Sequence, residues 1–265
     1  MKLQVQQEFA FFRAKGLSKR FGGLTAVQDF SLVMRAGEIV GLIGPNGAGK
    51  TTVFNLITGL EQPDAGKIYF QREYLTGLPA HRIARLGIAR TFQNLRLLSP
   101  LSVLDNVKVA YHQHVRYTLA EAVLRLPRFH RVEREITEKS REFLELVGLG
   151  AQADQSAGAL PYGQRRRLEL ARALATEAEL LLLDEPAAGL NPRETAELAA
   201  LLRRVRDEFG VAMLLIEHDM KLVMGLCERV VVLNFGRTIA AGTPAEVQSS
   251  EAVLEAYLGK RAVPQ

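Results

Sequence analysis

The sequence predicts an α/β protein with a parallel-sheet core, β-structure ahead of it and a mostly helical insertion. Three observations carry that expectation. Residues 38–43 read as a buried strand that enters the glycine-rich stretch Gly44-Pro45-Asn46-Gly47-Ala48-Gly49-Lys50-Thr51-Thr52, and a helical pattern follows as far as Gly59. Leu180-Leu181-Leu182-Leu183 is an unbroken apolar run, as in a strand buried on both faces of a parallel sheet. Between these two, from about Leu98 to Leu160, apolar residues recur at helical spacing instead.

The bulk numbers set limits. At 265 residues the chain is long enough to bury a sizeable core in one or two domains. With 48% apolar and 24% charged residues it has an ordinary globular composition. The net charge of +5 is mild and spread along the chain, so it does not by itself imply nucleic acid. It would also suit the inner face of an anionic membrane. Cys227 is the single cysteine, so no internal disulfide can form and a reducing compartment is expected. Its simplest reading is a small buried hydrophobe. The sequence holds no run long enough to span a bilayer and no signal-peptide pattern. If the protein serves a membrane process, it is expected to do so from the cytosolic side.

The chain opens with β-structure over about residues 9–43. Phe11, Leu17, Phe21, Val27, Phe30, Leu32 and Val33 sit among turn residues such as Gly22-Gly23. Phe21 has two readings, a ring that stacks on a nucleotide base or a core phenylalanine. The stretch from Gly44 to Thr52 then fits the phosphate-binding pattern of Gly, four residues, and Gly-Lys-Ser/Thr. Its glycines let backbone N–H groups turn inward around phosphate oxygens, and the dipole of the following helix adds partial positive charge. Lys50 would reach the β- and γ-phosphates, and the Thr51 hydroxyl would ligate Mg²⁺.

Gln62-Pro63-Asp64-Ala65-Gly66 reads as a turn, residues 67–70 as a short strand, and residues 78–86 as a short helix with Pro79 in its first turn. Gln93 sits where a strand is expected to end. Its amide has two readings, contact with a metal or water, or an ordinary surface position. Residues 103–107 and 132–147 have helical spacing, and Val132, Ile136, Phe143, Leu144 and Val147 fall on one apolar face. The mixed charges there suit a solvated helix face. Leu160-Pro161-Tyr162-Gly163-Gln164 leads into another helix, whose start offers N–H groups to an anion. Arg165, Arg166 and Arg167 point in different directions on a helix, so they form no single patch for nucleic acid.

Asp184 and Glu185 close the leucine strand, at the end where ligands bind in open α/β sheets. Asp184 there can hold Mg²⁺ through water, and Glu185 is placed to take a proton from an attacking water. Asn191, Pro192 and Glu194 start a helix as N-cap, first residue and capping-box partner. Residues 211–216 read as another buried strand, ending at Glu217-His218-Asp219. His218 shares the strand-end position of Glu185, which leaves a catalytic and a structural reading both open. Residues 230–233 and 238–241 read as a hairpin, and Thr243 caps a last helix.

In this order the motifs resemble the ATP-binding-cassette (ABC) family over nearly the whole chain. Residues 44–52 resemble its Walker A, Gln93 its Q-loop, and residues 160–164 its signature. Residues 180–185 are similar to its Walker B with the catalytic glutamate, Gly189-Leu190-Asn191 to its D-loop, and His218 to its switch histidine. Phe21 falls at its base-stacking position. The resemblance implies an α/β P-loop NTPase of the ABC ATPase type, with a parallel-sheet core, an antiparallel β-subdomain and an α-helical subdomain. Its catalytic residues would be Glu185, His218 and Gln93, and its Mg²⁺ would be held by Thr51, Gln93 and Asp184. Gly163 and Gln164 would meet the ATP of a partner subunit. The family's usual signature is Leu-Ser-Gly-Gly-Gln. Pro161 stands here in place of the serine, so that serine's phosphate contact is not carried over.

The Pro-Tyr signature, together with residues 89–94, 185–192 and 216–220, resembles the branched-chain amino acid importers within the family. That implies a single ABC ATPase domain over residues 1–265, with a helical subdomain inserted at about 95–175. It also implies ATP and Mg²⁺, a second nucleotide-binding subunit, homodimeric or heterodimeric, and integral membrane permease subunits. A periplasmic or extracellular solute-binding protein would act indirectly, and no nucleic acid is expected. The chain would lie peripherally on the cytoplasmic face of the inner membrane. Related systems for urea uptake or lipopolysaccharide export are the alternatives. A soluble ABC protein of DNA repair or translation would be expected to carry a long coiled coil or a second cassette. A GTPase would carry an Asn-Lys-x-Asp motif. The chain has none of these.

Overall fold

The computed structural model describes residues 11–91, 97–114 and 117–258. These divide into two compact units, one within residues 11–90 and 179–258 and the other within residues 91–178.

The first unit begins with β1 (Phe12–Phe21) and β2 (Leu24–Met34), an antiparallel pair. β3 (Ile39–Ile43) follows and is buried along its whole length. α1 (Lys50–Ile57) leaves the glycine loop. It begins two residues before the first helical residue expected from sequence, because Gly49 serves as its N-cap. Gly59, at φ 70, stands two residues beyond its end. β4 (Ala65–Phe70) pairs antiparallel with β1, and β5 (Glu73–Tyr74) with β4. α2 (Ala80–Arg85) has Pro79 as its N-cap, one position ahead of the expected first turn. β6 (Ile88–Arg90) is only three residues long, and the strand expected to end at Gln93 ends at Arg90.

The second unit is helical. Ser102 caps α3 (Val103–Tyr111) by accepting from the Asp105 amide. The capping box of Thr118 and Glu121 starts α4 (Leu119–Val123). α5 (Pro127–Leu146) extends a turn ahead of the expected helix, since Pro127 occupies its first turn, where a missing N–H costs nothing. α6 (Tyr162–Leu174) buries Leu168, Leu170 and Leu174. Ile136, Phe143, Leu144 and Val147 are buried as expected, while Val132 is only half-buried. The arginine run is used inside this unit. Arg165 donates to the carbonyls of Leu160 and Gly158 at 2.7 and 2.6 Å, and Arg166 pairs with Glu169 at 3.3 Å.

The chain then returns to the first unit through β7 (Leu180–Asp184), fully buried and parallel to β6. α7 (Pro192–Phe209) begins with the expected Asn191–Glu194 capping box. β8 (Ala212–Ile216) is buried throughout. α8 (Met220–Leu226) leads into the antiparallel hairpin of β9 (Arg229–Asn234) and β10 (Arg237–Gly242). α9 (Pro244–Gln248) carries the Thr243–Glu246 capping box, and α10 (Glu251–Leu258) follows.

Among the described residues the strands form two sheets. One is antiparallel, in the order β2-β1-β4-β5; the other has the order β10-β9-β3-β8-β7-β6. In the second, every pairing from β9 to β6 is parallel. Its central strands are apolar on both faces because both faces are covered, which is the physical reason for the continuous Leu, Ile and Val runs. The carboxyl ends of β3, β7 and β8 lie side by side, and this edge positions the site.

Candidate nucleotide-binding and hydrolysis site

The loop after β3 is shaped by two glycines. Gly44 has φ 152 and Gly49 φ 101. A Cβ on Gly44 would overlap the Leu233 carbonyl oxygen, and one on Gly49 the Ala26 carbonyl oxygen. The Gly236 amide, from the β9–β10 turn, braces the loop by donating to the Ala48 carbonyl at 2.9 Å. Gly49 has no side chain with which to cap α1, and no acid stands in the helix's first turn. The N-terminus of α1 therefore keeps its attraction for an anion. Pro45, Asn46, Gly47, Ala48, Thr51 and Thr52 complete the loop, with the Thr51 side chain exposed and Thr52 half-buried.

Lys50 is only 6% exposed. Its ammonium folds back over the loop and donates to the carbonyls of Gly44 at 2.7 Å and Pro45 at 2.9 Å. Burial lowers its pKa, while the charges of Glu185 and Asp184 oppose that shift. Phosphate charge would likewise favour the ammonium form.

Asp184 ends β7 directly opposite Ile216 on β8. Its Oδ2 pairs with Arg90 Nη2 at 2.7 Å. Glu185, the next residue, has φ 49, an uncommon conformation for a non-glycine residue, and its amide donates to the Ile216 carbonyl at 2.9 Å. That bend brings Glu185 Oε1 to 2.9 Å from His218 Nε2. The structure thus brings together Lys50, Asp184, Glu185 and His218 around one strand edge.

The sequence reading assigned no role to two residues that the fold makes important. Glu217 is 3% exposed and accepts from the amides of Ala187 at 2.7 Å, His218 at 3.0 Å and Asp219 at 3.4 Å. Burial raises its pKa above the ordinary 4.5, against the opposing pull of those three amides. Arg90 joins Asp184 to Asn55 on α1, donating to Asn55 Oδ1 at 2.7 Å. Neither role has a local signal beyond a charged residue beside a buried strand, which is itself uncommon.

The remaining expected residues are dispersed. Phe21 ends β1 with 44% of its surface exposed, and the Lys19 ammonium stands 5.3 Å from its ring centre. The core reading of this ring therefore fails. Gly163 and Gln164 lie in the first turn of α6, in the other unit, behind Pro161 as N-cap. Gln93 lies outside the described residues. Among the described residues, no group of three or more His, Cys, Asp or Glu side chains could hold a metal ion. A cation bound mainly by phosphate oxygens and waters, with one hydroxyl and one carboxylate from the protein, suits such a donor set. Thr51 and Asp184 fit it.

A strand, a glycine cradle and a helix N-terminus, facing carboxylates across a parallel sheet, define a phosphate-loop nucleotide-binding protein. Residues 27–188 match the model of the ABC transporter family, and the chain belongs to that family. Residues 237–263 match a second model, that of the branched-chain amino acid ATP-binding cassette transporter. The chain is 49% identical over 245 residues to the high-affinity branched-chain amino acid transport ATP-binding protein LivG of Salmonella typhimurium, spanning 92% of this chain and 96% of that one. It is equally similar, with the same coverage, to BraF of Pseudomonas aeruginosa, named for the same transport. Among solved structures, the ADP conformation of MJ1267, an ATP-binding cassette of an ABC transporter, superposes with a TM-score of 0.82 at 29% identity. It covers 95% of this chain and 99% of that one. The fold is that of an ABC ATPase, as expected.

Proposed function

We propose that this chain is the ATP-hydrolysing subunit of an importer of branched-chain amino acids. The observation that carries the hydrolytic part is the Glu185–His218 contact beside the phosphate loop. The substrate class rests on the likeness to LivG and BraF.

In this reading the amides of residues 46–52 and the Lys50 ammonium hold the phosphates. Phe21 supports the adenine through its exposed face. Thr51 and Asp184, with Gln93, would hold Mg²⁺. Such an ion supplies neutralisation of phosphate charge when bound. Glu185 accepts the proton of the attacking water, and His218 fixes the carboxylate through its Nε2 contact. Glu217 locks the backbone on both sides of that pair. The two units work as one ATPase domain. Gly163 and Gln164 meet the nucleotide of a second subunit, identical or closely similar, so that ATP closes the pair.

The partners beyond the pair are permease subunits and, through them, a solute-binding protein outside the membrane. No helix among the described residues is long and apolar enough to cross a membrane. The chain would therefore reach the cytoplasmic face by docking on the permease.

Reconstitution tests this reading. The chain is assembled with its genome's branched-chain amino acid permease and binding protein in vesicles, and leucine, isoleucine and valine uptake is measured with ATP. Uptake that fails without ATP supports the proposal. ATP hydrolysis that no branched-chain amino acid stimulates would overturn the substrate, and absence of hydrolysis would overturn the whole reading.

A further inference from the structure

We infer that Arg90 is a positioning residue: it ties the Asp184 carboxylate to the phosphate-loop helix and thereby sets the cation affinity of the nucleotide site. The inference rests on the reading of Asp184 as the carboxylate on the metal side.

The strand register starts the argument. β6 runs parallel to β7, with Arg90 opposite Leu182. Side chains alternate along a strand, so Leu182 and Asp184 share a face, and Arg90 is level with the first and within reach of the second. One guanidinium nitrogen meets Asp184 Oδ2 at 2.7 Å, and the other donates to Asn55 Oδ1 at 2.7 Å. The guanidinium carbon lies 5.4 Å from the centre of the Phe54 ring. Phe54 and Asn55 belong to α1, the helix that begins with Lys50 and Thr51.

One planar group therefore joins the strand of the carboxylate to the helix of the phosphate site. Both side chains of the ion pair are only 6% exposed. A charge removed from water is tolerated when it is paired and hydrogen-bonded, and such a pair resists rearrangement. The fork geometry matters as much as the charge. A guanidinium can engage two fixed acceptors in one plane, whereas an ammonium is a point charge on a flexible stem. Groups that orient a metal-holding side chain typically change metal affinity or activity about 10–100-fold when removed. Arg90 has that relation to Asp184, and Asn55 holds Arg90 in turn.

The variants at Arg90 and Asn55 keep the net charge constant, so that orientation is read. Arg90→Lys retains the cation but cannot span both partners, and Asn55→Ala retains the ion pair but removes the tie to α1. Mn²⁺ serves as the probe, followed by electron paramagnetic resonance in the ADP complex, where no turnover occurs. Arg90→Lys should weaken Mn²⁺ binding about 10–100-fold, and Asn55→Ala should shift it less in the same direction. ADP binding in EDTA should be unchanged in both. If Arg90→Lys does not fold, Asn55→Ala decides. Unaltered Mn²⁺ affinity in the folded variants, even with a lowered melting temperature, would leave Arg90 merely structural and overturn the inference. Asp184→Asn separates the two levels. If that change leaves Mn²⁺ binding intact, the reading of Asp184 itself is wrong.

Discussion

His218 Nε2 and Glu185 Oε1 lie 2.9 Å apart, although 33 positions separate the two residues. The contact follows from the register of β7 and β8, in which Asp184 faces Ile216. Glu185, the first residue beyond β7, and His218, the second beyond β8, therefore leave the sheet side by side. Removing a general base typically costs about 10²–10⁴-fold in rate. Glu185→Gln should lose ATPase activity by such a factor while still binding ATP. It should also form an ATP-dependent dimer, visible by size-exclusion chromatography. Lys50→Ala should lose both activity and dimer. Near-normal turnover in Glu185→Gln would move the role of base to His218.

The exposed ring of Phe21 leads to a binding prediction. An aromatic face supports a base without reading its edges, and such stacking contributes roughly 1–3 kcal/mol. Phe21→Ala should weaken ATP binding by that amount and leave saturated turnover nearly unchanged. Calorimetric titration with ATP measures the first, and initial rates at saturating ATP measure the second. Unchanged affinity would sink the stacking role.

A docking prediction concerns the start of the helical unit. By its resemblance to the family, the segment around Leu97 and Leu98 should receive the permease. Leu98 is 38% exposed, so its side chain can be reached by a partner. Leu98→Glu should reduce copurification with the permease subunits and spare ATP binding. Full assembly in Leu98→Glu and in an equivalent Leu97 variant would put the docking groove elsewhere.

Glu217 predicts a pH effect on stability. Burial raises its folded-state pKa above 4.5, so an unfolded chain gives up this proton first as pH rises. Between 4.5 and the higher folded value, the folded state holds more protons, and stability falls with rising pH. The contribution is complete below 4.5 and is lost as pH passes the folded pKa. Glu217→Gln lacks this slope. In urea unfolding across pH 4 to 8, wild-type stability relative to the variant should therefore decline as pH rises. Parallel profiles for the two proteins would contradict the assignment.

What could be read from sequence was local. The loop of Lys50, the strand ending at Asp184, and the capping boxes at Asn191 and Thr243 are each complete within about ten residues, so spacing alone exposes them. Arg90 and Glu217 depend on strands that meet only in the folded sheet. Their sequence neighbours say nothing about Asn55 or Ala187. β6, with three residues, is too short to give a period, so only a strand end near Gln93 could be read, and the first turn of α5 carries no apolar periodicity to mark it. Phe21 needed the fold for a different reason. An aromatic residue at a strand end reads the same whether its ring faces inward or outward.

The position of the helical unit in the chain has an engineering consequence. It occupies the connection between β6 and β7, which are adjacent and parallel. The Glu179 amide donates to the Gly87 carbonyl at 2.9 Å, so the chain re-enters the first unit beside the residue that precedes β6. Because the two strands run parallel, the unit leaves from the carboxyl end of β6 and returns to the amino end of β7, as a crossover connection must. The segment 91–178 is thus modular in the grafting sense. A counterpart from another transporter would have to span from the carboxyl end of one strand to the amino end of its neighbour and would leave the order of the core sheet untouched.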